Sequence, residues 1–344
     1  MKIDIKSYNL TELEEYFKNI NEPRFRAGQL FDWLHVKLAK TFDEMSNLPK
    51  SLIARLDEGC ELRNCEIEAL QISKEDGTRK YAFRLNDGNI IESVFMRYEH
   101  GNSVCVSSQV GCRMGCKFCA STIDGLCRNL TASEILEQVY AIGRDTGERI
   151  SNVVIMGSGE PLDNYDNVVK FIRLINEEKG YKMSQRNITL STCGIVPMIY
   201  ELAKENLQIT LAISLHAPND ELRRKTMPIA TKYSISEILE ATDWYFEKTG
   251  RRISFEYTVI KDLNDDKSTI LELASLLSGR SCHVNLISIN PIKERDYKRE
   301  SELSLKDIKK VLENKGISAT IRRRLGADID SACGQLRRRV KSDI

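Results

Sequence analysis

The chain has 344 residues, in which 51 Lys and Arg oppose 50 Asp and Glu, with 41% apolar and 29% charged residues. That length gives one large domain, or one domain with a smaller companion, and the ordinary composition excludes disordered, collagen-like and coiled-coil classes. No apolar run approaches the roughly 20 residues of a membrane span, and the N-terminus lacks a secretory apolar region, so a cytoplasmic location is expected.

In chain order, Thr11 followed by Glu14 has the spacing of a capping box, and Ala27, Leu30, Phe31, Leu34 and Leu38 then share one helical face. Pro49 opens a third short helix, so residues 1–75 read as a small helical accessory domain. Residues 81–85 and 89–98 have strand composition around the turn Asn86-Asp87-Gly88, which makes 76–101 a β-hairpin extension. From residue 102 to 344, strands predicted near 104–109, 152–156, 187–192, 209–215, 253–260 and 284–289 alternate with helices, and a further strand falls near 319–322. Thr131 to Glu134, Ser234 to Glu237 and Ser304 to Asp307 supply helix starts. Such alternation predicts an α/β fold with a parallel sheet, either doubly wound or a full or partial barrel. Both place ligands at the C-terminal ends of the strands.

Near-zero net charge hides an asymmetry. From Ile317 onward, seven basic residues (Arg322, Arg323, Arg324, Arg337, Arg338, Arg339 and Lys341) face three acids, so the tail is basic and the remainder acidic. Two Arg triplets of this kind suit phosphate contacts as well as a solvated face.

The ten cysteines in a reducing compartment read as metal ligands or reactive thiols rather than a disulfide framework. Three of them form Cys112-Arg-Met-Gly-Cys116-Lys-Phe-Cys119, directly after the first predicted parallel strand. A structural zinc site wants four ligands, usually in two separated pairs. Three thiolates in one short loop suit an iron–sulfur cluster with one iron left open to another ligand. Further polar clusters follow the later strands: Gly159 and Glu160, then Ser191, then Ser214, Leu215 and His216, then Asn290. Glu160 can receive an ammonium group, and Ser191, Ser214 and Asn290 can bond ribose or carboxylate.

The C-x3-C-x2-C triad, with Phe118 before its last cysteine, resembles the signature of the radical S-adenosylmethionine (SAM) superfamily. That resemblance implies a partial (β/α)6 barrel and a 4Fe–4S cluster whose open iron takes the amino and carboxylate groups of SAM, cleaved on reduction to a deoxyadenosyl radical. Longer stretches narrow it. Val106-Ser-Ser-Gln-Val-Gly-Cys112, Gly157-Ser-Gly-Glu-Pro-Leu162, Ser214-Leu-His-Ala-Pro218, Met227-Pro-Ile229, Arg251-Arg-Ile-Ser-Phe-Glu-Tyr257, His283-Val-Asn-Leu286 and Asp328-Ile-Asp-Ser-Ala-Cys-Gly-Gln-Leu336 together resemble the RlmN and Cfr family of RNA adenine methyltransferases, the RlmN branch most.

By that resemblance the cluster ligands are Cys112, Cys116 and Cys119, and SAM, two molecules per turnover, is held by Gly159, Glu160, Ser191, Ser214, Leu215, His216 and Asn290. Cys333 matches the cysteine that carries the methyl group, Cys105 the thiol that resolves the protein–RNA adduct by a disulfide with Cys333, and Glu92 a proton acceptor. The implied reaction is methylation of carbon-2 of adenine 2503 in 23S rRNA, and of adenine 37 in tRNA, with flavodoxin or ferredoxin as electron donor. Carbon-8 methylation of the same rRNA adenine, or a radical reaction on a small molecule, is the alternative. Ser158, Cys193 and Ala230 depart from the pattern where Met, Ser and Asn are frequent.

Overall fold

The computed structural model describes residues 2–99, 101–290, 296–299, 302–329 and 334–342. After a short strand β1 (Ile3–Asp4), helix α1 (Leu10–Asn19) is capped by Asn9 rather than Thr11. Asn9 Oδ1 accepts the Glu12 N–H at 2.9 Å and Glu12 accepts the Asn9 N–H at 2.7 Å. Asn caps at least as well as Thr, and the reciprocal pair with Glu12 fixes the start. Helix α2 (Phe25–His35) buries Ala27, Leu30, Phe31 and Leu34, whereas Leu38 lies past its end with φ 58°. Helix α3 (Lys50–Gly59) follows Pro49 and runs into β2 (Cys60–Glu61), which pairs with β1.

Strands β3 (Cys65–Ile72), β4 (Arg79–Leu85), β5 (Ile90–Tyr98) and β6 (Gly101–Cys105) form an antiparallel meander. Gly88, at φ 82°, makes the expected turn between β4 and β5. The strand expected over 104–109 is divided. β6 stops at Cys105, and β7 (Gln109–Gly111) instead pairs with β8 (Leu126–Asn129) in a separate ribbon. The break comes at Ser107, whose N–H donates to Gln138 Oε1 at 2.8 Å and whose hydroxyl donates to the Glu92 carbonyl at 2.7 Å. Hydroxyls that bond nearby backbone compete with ladder pairing.

The expected alternation follows: α4 (Ala132–Thr146), β9 (Asn152–Ile155), α5 (Tyr165–Asn176), β10 (Ile188–Thr192), α6 (Val196–Lys204), β11 (Thr210–Ser214), α7 (Asp220–Thr226), α8 (Ile235–Thr249), β12 (Ile253–Val259), α9 (Lys267–Leu277), β13 (Cys282–Ser288), α10 (Glu302–Asn314), β14 (Ser318–Ile321) and α11 (Gln335–Ser342). Thr131 and Ser234 cap α4 and α8 with full capping boxes. Helix α10 opens at Glu302, upstream of the Ser304 start read from the sequence.

One sheet runs β14-β13-β12-β11-β10-β9-β6-β5-β4-β3. Its pairs from β6 to β14 are parallel, so six barrel strands and a seventh are continuous with the antiparallel extension. The N-terminal layer shares this core. Lys6, fully buried, reaches Glu137 of α4 at 2.7 Å, and Arg144 engages the other oxygen of that carboxylate. No helix among the described residues is long and apolar enough to cross a membrane.

Candidate active site

The triad loop is folded by its own backbone. Gly111 has φ 80°, and a Cβ there would lie 2.0 Å from the Gly125 carbonyl oxygen, which accepts the Cys112 N–H at 2.9 Å. The Thr122 hydroxyl bonds the carbonyls of Cys116 and Cys119 at 3.0 and 2.9 Å, and Lys117 N donates to the Thr226 carbonyl at 2.8 Å. These bonds hold the three thiols toward one cavity of about 360 Å³, within the roughly 300–1,000 Å³ of small-molecule sites. Burial, with neighbouring thiolates adding to it, pushes the Cys112 thiol up to about 12 and raises Cys116 as well. Cys112 and Cys116 are therefore neutral until metal displaces their protons. Three soft donors converging on one loop, beside a buried carboxylate, fit a cluster in which each thiolate takes a different iron.

The other walls are strand ends. Glu160, after β9, is buried, and its carboxylate accepts the Leu162 N–H at 3.0 Å and the Cys193 N–H at 2.8 Å. Burial raises its pKa while these donors oppose the rise. The side chains of Thr192 and Cys193 bond it as well. Gly157 and Gly159 serve a packing purpose as well, since a Cβ would fall 2.7 Å from the Val106 carbonyl oxygen or 2.6 Å from Gln109 Cβ. Their close approach is to the loop after β6.

His216, after β11, has φ 57°. Its Nδ1 accepts the Thr258 N–H at 2.9 Å, which leaves the ring proton on Nε2. Burial lowers its pKa to about 3, so the imidazole is neutral. The ring also meets Phe118 edge to face, at 5.0 Å between centroids. Phe118 thereby ties the triad loop to the fourth barrel strand.

Of the residues expected to hold SAM, Gly159, Glu160, Ser191, Ser214, His216 and Asn290 line this cavity, together with Cys105 and the triad. Leu215 does not; it is buried, and its N–H donates to the Glu256 carbonyl at 3.1 Å. Glu92 does not line it either. It lies buried on β5, 3.3 Å from Lys80, and accepts the backbone N–H groups of Gly334 and Arg337. Cys333 lies outside the described residues.

Sequence reasoning missed Glu256. This carboxylate, buried on β12, lines the cavity and accepts the Asn285 amide at 2.9 Å, and burial raises its pKa. Its signal was an acid between Phe255 and Tyr257 in an otherwise neutral strand. Arg322, Arg323 and Arg324 are exposed and line the same cavity. Arg337 is 3% exposed, so it is closed to the phosphate role expected of the second triplet, and Arg339 is exposed.

Residues 106–274 match the radical SAM superfamily model, and residues 3–62 match the model of the ribosomal RNA large subunit methyltransferase N-terminal domain. The chain is 58% identical, over 99% of its length and 97% of the relative, to a probable dual-specificity RNA methyltransferase RlmN of Lachnospira eligens. It belongs to the RlmN family. A protein of the same name from Clostridium botulinum strain Eklund 17B is 57% identical over 97% of this chain and 96% of its own. The crystal structure of a radical SAM methyltransferase from Sphaerobacter thermophilus superposes with a TM-score of 0.93 at 42% identity, covering 97% of this chain and 98% of that one. As an RlmN-family protein, the chain is a radical SAM RNA methyltransferase with a partial-barrel fold, and its cofactors are a 4Fe–4S cluster and SAM.

Proposed function

We propose that this enzyme methylates carbon-2 of adenine 2503 in 23S rRNA and of adenine 37 in tRNAs. The observation that carries the reading is a single cavity lined by the triad, by the thiol of Cys105 and by the exposed guanidinium groups of Arg322, Arg323 and Arg324. Ordinary methyl transfer does not reach this carbon, which is not acidic enough to yield a nucleophile. When bound, the cluster and SAM supply an electron and a carbon radical, the electron coming from a flavodoxin or ferredoxin.

The chain's own residues do the rest. Cys112, Cys116 and Cys119 hold the cluster, Glu160 takes the ammonium group of SAM, and Ser191, Ser214, His216 and Asn290 orient its remaining polar atoms. Cys333 carries the methyl group to the adenine, Cys105 releases the product by forming a disulfide with it, and Glu92 accepts the proton. The adenine must leave its stack to enter the cavity. The N-terminal helical layer, the antiparallel extension that begins at β3 and the basic end of the barrel then grip the RNA backbone around it, in a cytoplasmic enzyme.

The test uses anaerobically reconstituted enzyme, methyl-labelled SAM and rRNA or tRNA fragments. Cys333→Ala abolishes label transfer, and Cys105→Ala traps the protein–RNA adduct. Full activity of Cys333→Ala overturns the two-cysteine reading.

A further inference from the structure

The C-terminal segment is tied to the antiparallel extension at two places. At the first, Gly326 N donates to Asp76 at 2.8 Å, and Asp328 accepts from the Ser73 hydroxyl at 2.6 Å and from Lys74 N at 2.8 Å. At the second, Glu92 accepts the N–H groups of Gly334 and Arg337, one with each oxygen. Cys333 lies in the stretch between them.

The second tie has a recognisable logic. Helix α11 begins at Gln335, so Gly334 is its N-cap and Arg337 its third residue. In a capping box, the side chains at these two positions satisfy each other's backbone N–H groups. Gly334 has no side chain to offer, and Glu92 satisfies both donors from another strand. The positive end of the helix dipole favours a carboxylate there. Lys80, fully buried on β4, lies 3.3 Å from the same carboxylate. That ammonium group offsets part of the cost of burying the carboxylate.

Glycine at 334 has an independent cause. Its φ is 84°, and a Cβ would lie 2.9 Å from Ser121 N and 3.0 Å from the Ala120 carbonyl carbon. Ala120 and Ser121 immediately follow Cys119. Residue 334 is thus gripped between Glu92 on one side and the end of the triad loop on the other.

We propose that Lys80 and Glu92 form a latch that docks α11 and anchors Gly334, the chain neighbour of Cys333, beside the end of the triad loop. Glu92 is in this respect a positioning residue, separate from its role with a proton. The latch rests on the proposed function only in that Cys333 is taken there as the methyl carrier.

Hydrogen exchange and iodoacetamide alkylation of the full-length holoenzyme test the latch, and neither needs RNA or SAM. In Glu92→Gln, which keeps the side chain's shape, and in Lys80→Met, exchange in α11 and alkylation of Cys333 rise about tenfold, the scale of losing a charge-assisted bond. Strands β9 to β12 keep their wild-type exchange. Unchanged α11 exchange in both variants overturns the proposal, and so does an equal loss of protection in α11 and the barrel. Mass spectrometry of Cys333 S-methylation in protein purified from cells gives a second readout. It falls in both variants if Glu92 positions Cys333, and stays at the wild-type level if Glu92 acts only on the later proton transfer. Failure of the wild-type enzyme to methylate RNA, with α11 loosened in the variants as stated, counts against the proposed function and leaves the latch standing.

Discussion

His216 adopts a left-handed backbone conformation that costs a non-glycine residue roughly 1–2 kcal/mol, and the loop after β12 holds it there. Asn264 donates to the carbonyls of His216 and Thr258 at 2.9 and 2.8 Å and accepts the Ile260 N–H at 2.7 Å. His216 and the equally buried His35, whose Nδ1 lies 3.0 Å from the Tyr140 hydroxyl, both have pKa values lowered to about 3 by burial. Unfolding lets each bind a proton below its ordinary value of 6.5. Their contribution is therefore complete above that pH and shrinks as the pH falls toward 3. At pH 5 each costs the fold about 2 kcal/mol relative to pH 7, so the denaturation midpoint drops on acidification, and His35→Gln flattens that drop. Glu160→Gln removes the charge offered to the ammonium group, and equilibrium dialysis should show SAM binding weakened by about tenfold or more. Both residues were legible as polar groups at strand ends. Glu92 was legible only by resemblance, because its partners Gly334 and Arg337 lie 242 and 245 residues away.

Among the elements, the triad loop depends most on backbone conformation. Gly111→Ala combines a positive φ with a Cβ 2.0 Å from the Gly125 oxygen. Strain and overpacking together cost about 2–5 kcal/mol, so iron and sulfide bound per chain after reconstitution should fall well below the wild-type value while the barrel helices persist by circular dichroism. The capping boxes of α4 and α8 and the hairpin turn at Gly88 follow the sequence because their determinants are local. The first barrel strand does not. Its residues have strand composition through Gln109, yet Ser107 turns the chain out of the ladder using Gln138, thirty-one residues on. The start of α1 is a local competition as well, with Asn9 and Thr11 both able to cap until Glu12 completes the box.

On the scale of the whole molecule, one sheet joins the antiparallel extension to the barrel, so what reads in sequence as a hairpin extension is part of the dock for the C-terminal segment. The alternation of strands and helices made the parallel fold legible. This docking was not, because its bonds link Ser73, Asp76 and Glu92 to residues some 250 positions later. The helical layer is joined to the barrel through Glu137, and Glu137→Ala leaves Lys6 buried without that partner, at a cost of about 3–5 kcal/mol in the unfolding free energy. Charge is likewise sorted by place. Replacing Arg322, Arg323 and Arg324 with Ala should reduce the salt dependence of RNA binding by about 0.7 in log–log slope for each phosphate left without its guanidinium, whereas Arg337→Ala, at a buried position, leaves the slope unchanged.

The central claim, that this cavity methylates an RNA adenine at carbon-2, is tested most directly by mass spectrometry of adenosines after the reduced, reconstituted enzyme has acted on rRNA with methyl-labelled SAM. Labelled 2-methyladenosine, absent with Cys333→Ala, is the predicted result; labelled 8-methyladenosine, or no labelled adenosine from enzyme that still cleaves SAM, would contradict it.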